Sequence, residues 1–222
     1  MTAIELKGVS KRFKNRVLYE EVNISIEKGD AVGIVGGNAS GKSVLFKLMT
    51  GLEKPSAGEV FVNGERLGVN TDFPKNVGIM VNSPGYIEYY SGFKNLMLLA
   101  KIQNKVGESE VKKAMKCVGL DPEENTNVKN YSMGMKQKLG IAQAFMENQE
   151  IILLDEPFNA LDFKTNGDIM QVLFGLKAEG KTLIMTSHQH DYLEKICNKI
   201  YIIEEQRIVP LSDELKQKYF MR

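Results

Sequence analysis

The stretch AVGIVGGNASGKSVLFKLMTGL, residues 31–52, decides the fold. AVGIV is a continuous apolar run, as in a strand covered on both faces. VLFKLMTGL carries apolar residues at helical spacing and predicts a helix from about Lys42 to Leu52. Between them GGNASGKS, residues 36–43, matches G-x-x-x-x-G-K-[ST] at Gly36, Gly41, Lys42 and Ser43. Gly36 and Gly41 let the backbone fold tightly and approach a phosphate without a Cβ clash. The N–H groups of Gly37, Asn38, Ala39, Ser40 and on to Val44 then point inward at a β-phosphate, helped by the helix N-terminus. Lys42 would set its ammonium against the β- and γ-phosphates, and Ser43 would offer a hydroxyl to Mg²⁺. The same letters also fit a Gly-rich connection with a solvated lysine. The strand before and the helix after argue for the cradle.

A phosphate cradle of this type needs a distal carboxylate on a buried strand. IILLDE, residues 151–156, supplies one. Asp155 emerges at the strand's C-terminal end, where ligands of open α/β sheets bind, and would hold Mg²⁺. Glu156 follows, placed to polarise a water for attack on the γ-phosphate. Taken alone, two acids after an apolar run are ordinary strand termination. TSHQH, at the end of the apolar run TLIMTS (182–187), adds His188 at a neighbouring strand edge. Alone it reads as a surface histidine; as a third group at one edge it reads as catalytic beside Glu156 and Lys42.

Outward from these motifs, strands alternate with helices. IELKGV and VNISIE alternate apolar and polar residues, as a half-buried antiparallel sheet requires. EKPSAGEVFVNGERL reads as turn, strand, turn and strand, with Asn63-Gly64 the hairpin signal. VGIMV (77–81), IILLD and TLIMTS are buried strands. Residues 85–150 are mostly helical, Phe163 to Ala178 is another helix, KIYIIEEQRIV is a hairpin, and SDELKQKYFMR is a short helical tail. The order predicts an α/β fold with a parallel-sheet core, an antiparallel β element within about residues 1–75 and an inserted helical arm over about 85–148, all in one domain spanning 1–222.

Composition sets bounds on partners. The chain has 222 residues, 43% hydrophobic and 26% charged, with a formal net charge of +1. That balance gives no global pull toward nucleic acid or acidic lipid, and no nucleic-acid partner is expected. The two cysteines, Cys117 and Cys197, have no neighbours at metal-ligand spacing and read as reduced thiols. No apolar signal core and no run of about 18 apolar residues is present, so a membrane role needs a separate membrane-embedded chain.

Taken together these residues resemble the nucleotide-binding subunit of an ABC transporter, over nearly the whole chain. YSMGMKQKL (131–139) resembles the family's signature sequence, and FNALD (158–162) its D-loop with Asp162 as the acid. His188 matches the switch histidine, and Phe13 in SKRFKNRVL sits where the family stacks an aromatic ring on adenine. The resemblance implies a P-loop NTPase (RecA-like) core, ATP and Mg²⁺ as cofactors, and two subunits clamped head to tail on two ATP molecules. Each site would combine the phosphate loop of one chain with Ser132 and the N–H groups near Gly134 of the other. It further implies ATP hydrolysis powering a transporter, most like the bacterial exporter type. The chain would lie in the cytoplasm, on the inner face of the cell membrane, held there by a multi-span permease subunit. The residues after Asn82, SPGYIEYYSGF, would border a groove for a short helix of that permease; the same aromatics also fit a core cluster.

Three positions depart from the family pattern. Ala39 stands where glycine is usual, and alanine tolerates positive φ less well. Met133 replaces the first glycine of the signature pair. Asn82 takes the place of the Q-loop glutamine, keeping the amide near Mg²⁺ but one methylene shorter. With Lys42, Ser43, Asp155, Glu156 and His188 intact, slow but real turnover is expected. The alternatives are a soluble ABC-type ATPase, disfavoured by the single cassette and the absent heptads, and a regulatory module that senses ATP with weak turnover.

Overall fold

Alternation builds the first layer. β1 (Thr2–Phe13) and β2 (Arg16–Glu27) pair antiparallel, with Ile4 opposite Ile26 and Leu6 opposite Ile24. These four side chains are buried, while Lys7, Asn23 and Ser25 face solvent. β4 (Ala57–Val62) adds to β1, and the two-residue β5 (Glu65–Arg66) adds to β4, giving the order β2-β1-β4-β5. The turn between β4 and β5 uses Asn63 at φ 50° and Gly64 at φ 80°, the conformation that Asn-Gly favours. The computed structural model describes residues 1–14, 16–81, 85–159 and 161–220.

Continuous apolar runs build the second sheet, in the order β10-β9-β3-β8-β7-β6. β3 (Ala31–Gly36), β6 (Val77–Met80), β7 (Ile151–Leu154), β8 (Thr182–Thr186) and β9 (Lys199–Glu204) run parallel; β10 (Arg207–Pro210) closes one edge antiparallel. Both faces are covered. In β7, Ile152 and Leu154 face a core shared with the helices, while Ile151 and Leu153 face a core shared with the antiparallel sheet. Each fully buried Ile or Leu contributes about 1.5–3 kcal/mol, so the period-two alternation of β7 stabilises both faces of the sheet.

α1 (Lys42–Met49) lies between the two sheets with Leu45, Phe46, Leu48 and Met49 buried. It stops three residues short of the expected Leu52. The Thr50 hydroxyl donates back to the Phe46 carbonyl at 2.9 Å, Gly51 turns at φ 75°, and a side chain at Gly51 would run into the Asp72 carbonyl. The helical arm comprises α2 (Gly92–Gln103), α3 (Glu108–Cys117) and α4 (Met133–Phe145). α4 packs so closely on β6 that a Cβ on Gly78 would overlap the Ala144 carbonyl. α5 (Phe163–Ala178) and α6 (His190–Ile196) cover the helical face, and α7 (Asp213–Phe220) ends the chain's described part.

Polar ties fix how the strands start. The Asp30 carboxylate accepts from Lys199 Nζ at 2.7 Å, Asn198 Nδ2 at 2.8 Å and the Glu27 N–H at 2.9 Å, joining the starts of β3 and β9. The Glu20 N–H donates to the Gln206 carbonyl at 2.9 Å, joining β2 to the β9–β10 hairpin across the two sheets. Both cysteines are free thiols, as expected. Among the described residues no helix is long and apolar enough to cross a membrane.

Candidate functional site

Strand order gathers the motifs. β3, β8 and β7 are neighbours, and their C-terminal ends carry GGNASGKS, TSHQH and Asp155-Glu156 respectively. All three open on one cleft of about 500 Å³, lined by the loop from Asn38 to Val44, by Asp155, Glu156 and His188, and by Phe13, Arg16 and Leu18 from the antiparallel sheet.

The loop's shape follows from its residues. Gly41 caps α1 at φ 106°, and a Cβ there would overlap the Tyr19 hydroxyl and come within 2.8 Å of Leu18 Cδ2. A Cβ on Gly36 would lie 2.8 Å from Ser40 Oγ. Ala39 takes φ 58°, a left-handed conformation that costs an alanine about 1–2 kcal/mol. No side chain caps α1, and its first turn holds no acid, so its N–H groups stay available to an anion. The Lys42 side chain is 8% exposed, and its ammonium donates to the Gly36 and Gly37 carbonyls at 2.9 and 3.4 Å. Burial lowers its pKa, against the opposing pull of Glu156 and Asp155.

The acids are held on the other side. Ser43 Oγ donates to Asp155 Oδ2 at 2.5 Å, and Thr186 Oγ1 donates to Asp155 Oδ1 at 2.7 Å. Thr186 Oγ1 also accepts the Glu156 N–H at 2.8 Å. Glu156 sits at φ 53°, a strained setting of about 1–3 kcal/mol for a non-glycine residue. Its Oε2 accepts the His188 N–H at 3.1 Å. Its buried Oε1 lies 3.3 Å from His188 Nε2 and 3.9 Å from Lys42 Nζ but makes no hydrogen bond. That leaves one oxygen of a cleft-lining carboxylate with an unused acceptor site.

Among the described residues no group of three or more His, Cys, Asp or Glu gathers as a metal cage. Ser43 Oγ and Asp155 Oδ2 are nonetheless two hard oxygens side by side at the loop, and Mg²⁺ typically takes one or two protein oxygens together with phosphates. The donor chemistry therefore fits Mg²⁺. Asn82, the third expected ligand, lies outside the described residues.

Phe13 is 43% exposed at the cleft edge, with Lys11 Nζ 4.6 Å from its ring centroid. A half-open aromatic face beside a phosphate cradle can stack a base. Ser132, Gly134 and Asp162 do not border the cleft. They form a second cluster where α4 and α5 begin. Ser132 Oγ accepts the Met135 N–H at 3.1 Å, and a Cβ on Gly134 would meet Thr165 Cγ2 at 3.1 Å. Asp162 accepts from the Thr165 hydroxyl at 2.7 Å and its N–H at 2.9 Å, and these bonds hold its carboxyl below the usual range. The clusters are linked: Gln137 Nε2, in α4, donates to the Glu156 carbonyl at 3.0 Å. Sequence reasoning missed Thr186, Gln137, Arg16 and Tyr19. Thr186 had one signal, a hydroxyl ending an apolar run two residues before His188.

This fold and cleft define a P-loop NTPase. The ABC transporter family model matches residues 19–159. An uncharacterised ABC transporter ATP-binding protein of Bacillus subtilis is 34% identical over 88% of this chain and 89% of its own length. The bacitracin transport ATP-binding protein of Enterococcus faecalis is 34% identical over 93% of this chain and 68% of its own. Among solved structures, the dimeric post-hydrolysis state of the ATP-binding cassette MJ0796, bound to ADP and Pi, superposes with a TM-score of 0.82 at 25% identity, covering 92% of this chain and 96% of that one. This chain belongs to the ABC transporter family and is one of its ATP-hydrolysing nucleotide-binding subunits.

Proposed function

We propose that residues 1–222 form a single ABC-type domain that powers an exporter by closing, as a head-to-tail pair, on two ATP molecules. The observation that carries this reading is the Glu156 Oε1 acceptor, buried and unbonded beside Lys42 and His188 at the end of three adjacent strands. The loop N–H groups from Gly37 to Val44 and the N-terminus of α1 would bind the β- and γ-phosphates, Lys42 would neutralise them, and Phe13 would stack on adenine. Ser43 and Asp155, with Asn82, would hold Mg²⁺, which when bound neutralises phosphate charge. Glu156 Oε1 would accept the hydrogen bond of the attacking water, with the His188 N–H fixing the carboxylate.

One chain would leave this shell unfinished, because Ser132 and Gly134 do not line their own cleft. A second copy or a related chain would supply them, at the N-terminus of its α4, with Asp162 nearby. The dimeric MJ0796 structures support that arrangement. ATP favours closure only because it binds the closed pair better than the open one, and hydrolysis removes the γ-phosphate that bridges the halves. A separate multi-span permease would hold the chain on the cytoplasmic face of the membrane and receive the motion. The export direction rests on the YSMGMKQ form of the signature.

The test is phosphate release and sedimentation on purified protein, with its permease present. Glu156→Gln should lower turnover at least about a hundredfold, keep ATP bound and sediment as a dimer with ATP. Unchanged turnover, or an ATP-loaded variant that stays monomeric, overturns the reading.

A further inference from the structure

β2 hydrogen-bonds to the phosphate loop through two side chains, one at the cleft mouth and one buried. Arg16 Nη2 donates to the Ala39 carbonyl at 2.9 Å. Three residues along the same strand, the Tyr19 hydroxyl donates to the Gly41 carbonyl. Both bonds fall on carbonyls of a loop whose N–H groups are the proposed phosphate ligands. Arg16 opens the strand at the cleft mouth, opposite Phe13 in the β1–β2 register. Tyr19 is fully buried and stands beneath the loop. The two residues they hold have unusual backbones: Ala39 at φ 58° and Gly41 at φ 106°. Gly41 reaches its conformation without steric penalty, whereas Ala39 does not. An unbraced loop with alanine at this position would relax toward negative φ and turn its N–H groups away from the cleft.

We propose that Arg16 and Tyr19 are positioning residues that brace the phosphate loop in its binding shape before any nucleotide arrives, and that the Arg16 brace is required because residue 39 is alanine. This deepens the reading of the cleft as a nucleotide site and rests on it. A ligand that binds one conformer loses affinity in proportion to the fraction of protein in that conformer. The Arg16 bond raises that fraction and offsets the alanine's strain. A glycine at position 39 removes the strain and with it most of the need for the brace.

The experiment is a double-mutant cycle between positions 16 and 39, read as the dissociation constant for ATP·Mg²⁺ and, separately, for inorganic tripolyphosphate, which has no base or ribose. Arg16→Gln should weaken both ligands about tenfold in the Ala39 protein and about twofold or less in the Ala39→Gly protein. Once ATP is saturating, kcat should stay within about twofold of wild type, because the bound loop is the same loop. Tyr19→Phe should weaken both ligands in the same way, by a smaller factor, since the Gly41 carbonyl still accepts the Leu45 N–H at 2.9 Å. Arg16 is exposed, so Arg16→Gln should still unfold cooperatively, with the nucleotide-free melting temperature lowered by no more than the loss of this one bond. An equal loss in both backgrounds means that Arg16 contacts the nucleotide itself and overturns the proposal. So does a loss for ATP without a loss for tripolyphosphate, or no loss at all. If wild type binds neither ligand, the underlying site reading fails, and that outcome is distinct from all the others.

Discussion

Thr186 shows how one hydroxyl can set two functional groups. It donates to Asp155 and accepts from the Glu156 N–H, so it fixes the carboxylate beside Ser43 and the backbone of the strained residue after it. Thr186→Val keeps the shape and removes the hydrogen bonds to Asp155 Oδ1 and from the Glu156 N–H, at a cost of about 1–3 kcal/mol of stability. Steady-state phosphate release should show kcat down about tenfold to a hundredfold, with the ATP dissociation constant changed less than about threefold. That Lys42, Ser43, Asp155, Glu156 and His188 would meet at one cleft was legible in the sequence, because residue type and spacing mark them as a set. Thr186 was not, because a β-branched residue ending a strand looks like a strand residue. Arg16 and Tyr19 were hidden for another reason: their partners are carbonyls more than twenty residues away, and no side-chain pattern marks a backbone partner. The same limit applies to Ala39. The departure from glycine was visible, but its support from Arg16 needed the fold.

At the scale of elements, close approaches decide what the chain tolerates. β6 and α4 meet at Gly78, where a methyl group has no room against the Ala144 carbonyl. Gly78→Ala should destabilise by about 1–3 kcal/mol or more in urea unfolding, although alanine is the better residue for an isolated strand. Because α4 carries Ser132 at one end, the same variant should also weaken ATP-dependent pairing. Asp30 gives a pH test. Burial pushes its carboxyl up, but the bonds from Lys199, Asn198 and the Glu27 N–H outweigh burial, so its pKa is held below 3.8. A carboxylate depressed on folding contributes stability that is full above its unfolded value and lost as pH falls through its folded one. Between about pH 5 and pH 2, stability should therefore fall less steeply for Asp30→Asn than for wild type, as measured by denaturant titration at each pH. The type of almost every element was readable from periodicity, and α5 begins and ends where its pattern does. The end of α1 was not readable, because Gly51 is placed by a loop twenty residues further on. Nor was the order β3-β8-β7, which is a property of packing.

For the whole molecule, the beginnings of α4 and α5 form an unusual face. Met133 is 57% exposed and Phe163 is 87% exposed, both next to residues proposed above to meet a partner's ATP. Burying such side chains in a closed pair contributes about 1.5–3 kcal/mol each, while in a lone chain they contribute almost nothing. Phe163→Asp, placed in the Glu156→Gln background, should weaken the ATP-dependent dimer at least about tenfold by sedimentation equilibrium. The melting temperature of the nucleotide-free monomer should not move, because the ring lies in water there.

The bond between Glu20 and Gln206 has an effect beyond joining the two sheets. It sets the outermost strand of one sheet, β2, alongside the outermost strand of the other, β10, so two of the four exposed margins screen each other. The remaining margins, β5 and β6, are two and four residues long. Strands that short offer poor templates for fibrillar growth or strand exchange. Copies of this chain are thereby steered away from zipping together through their ribbons, and reversible encounters are left to helix tips and loops.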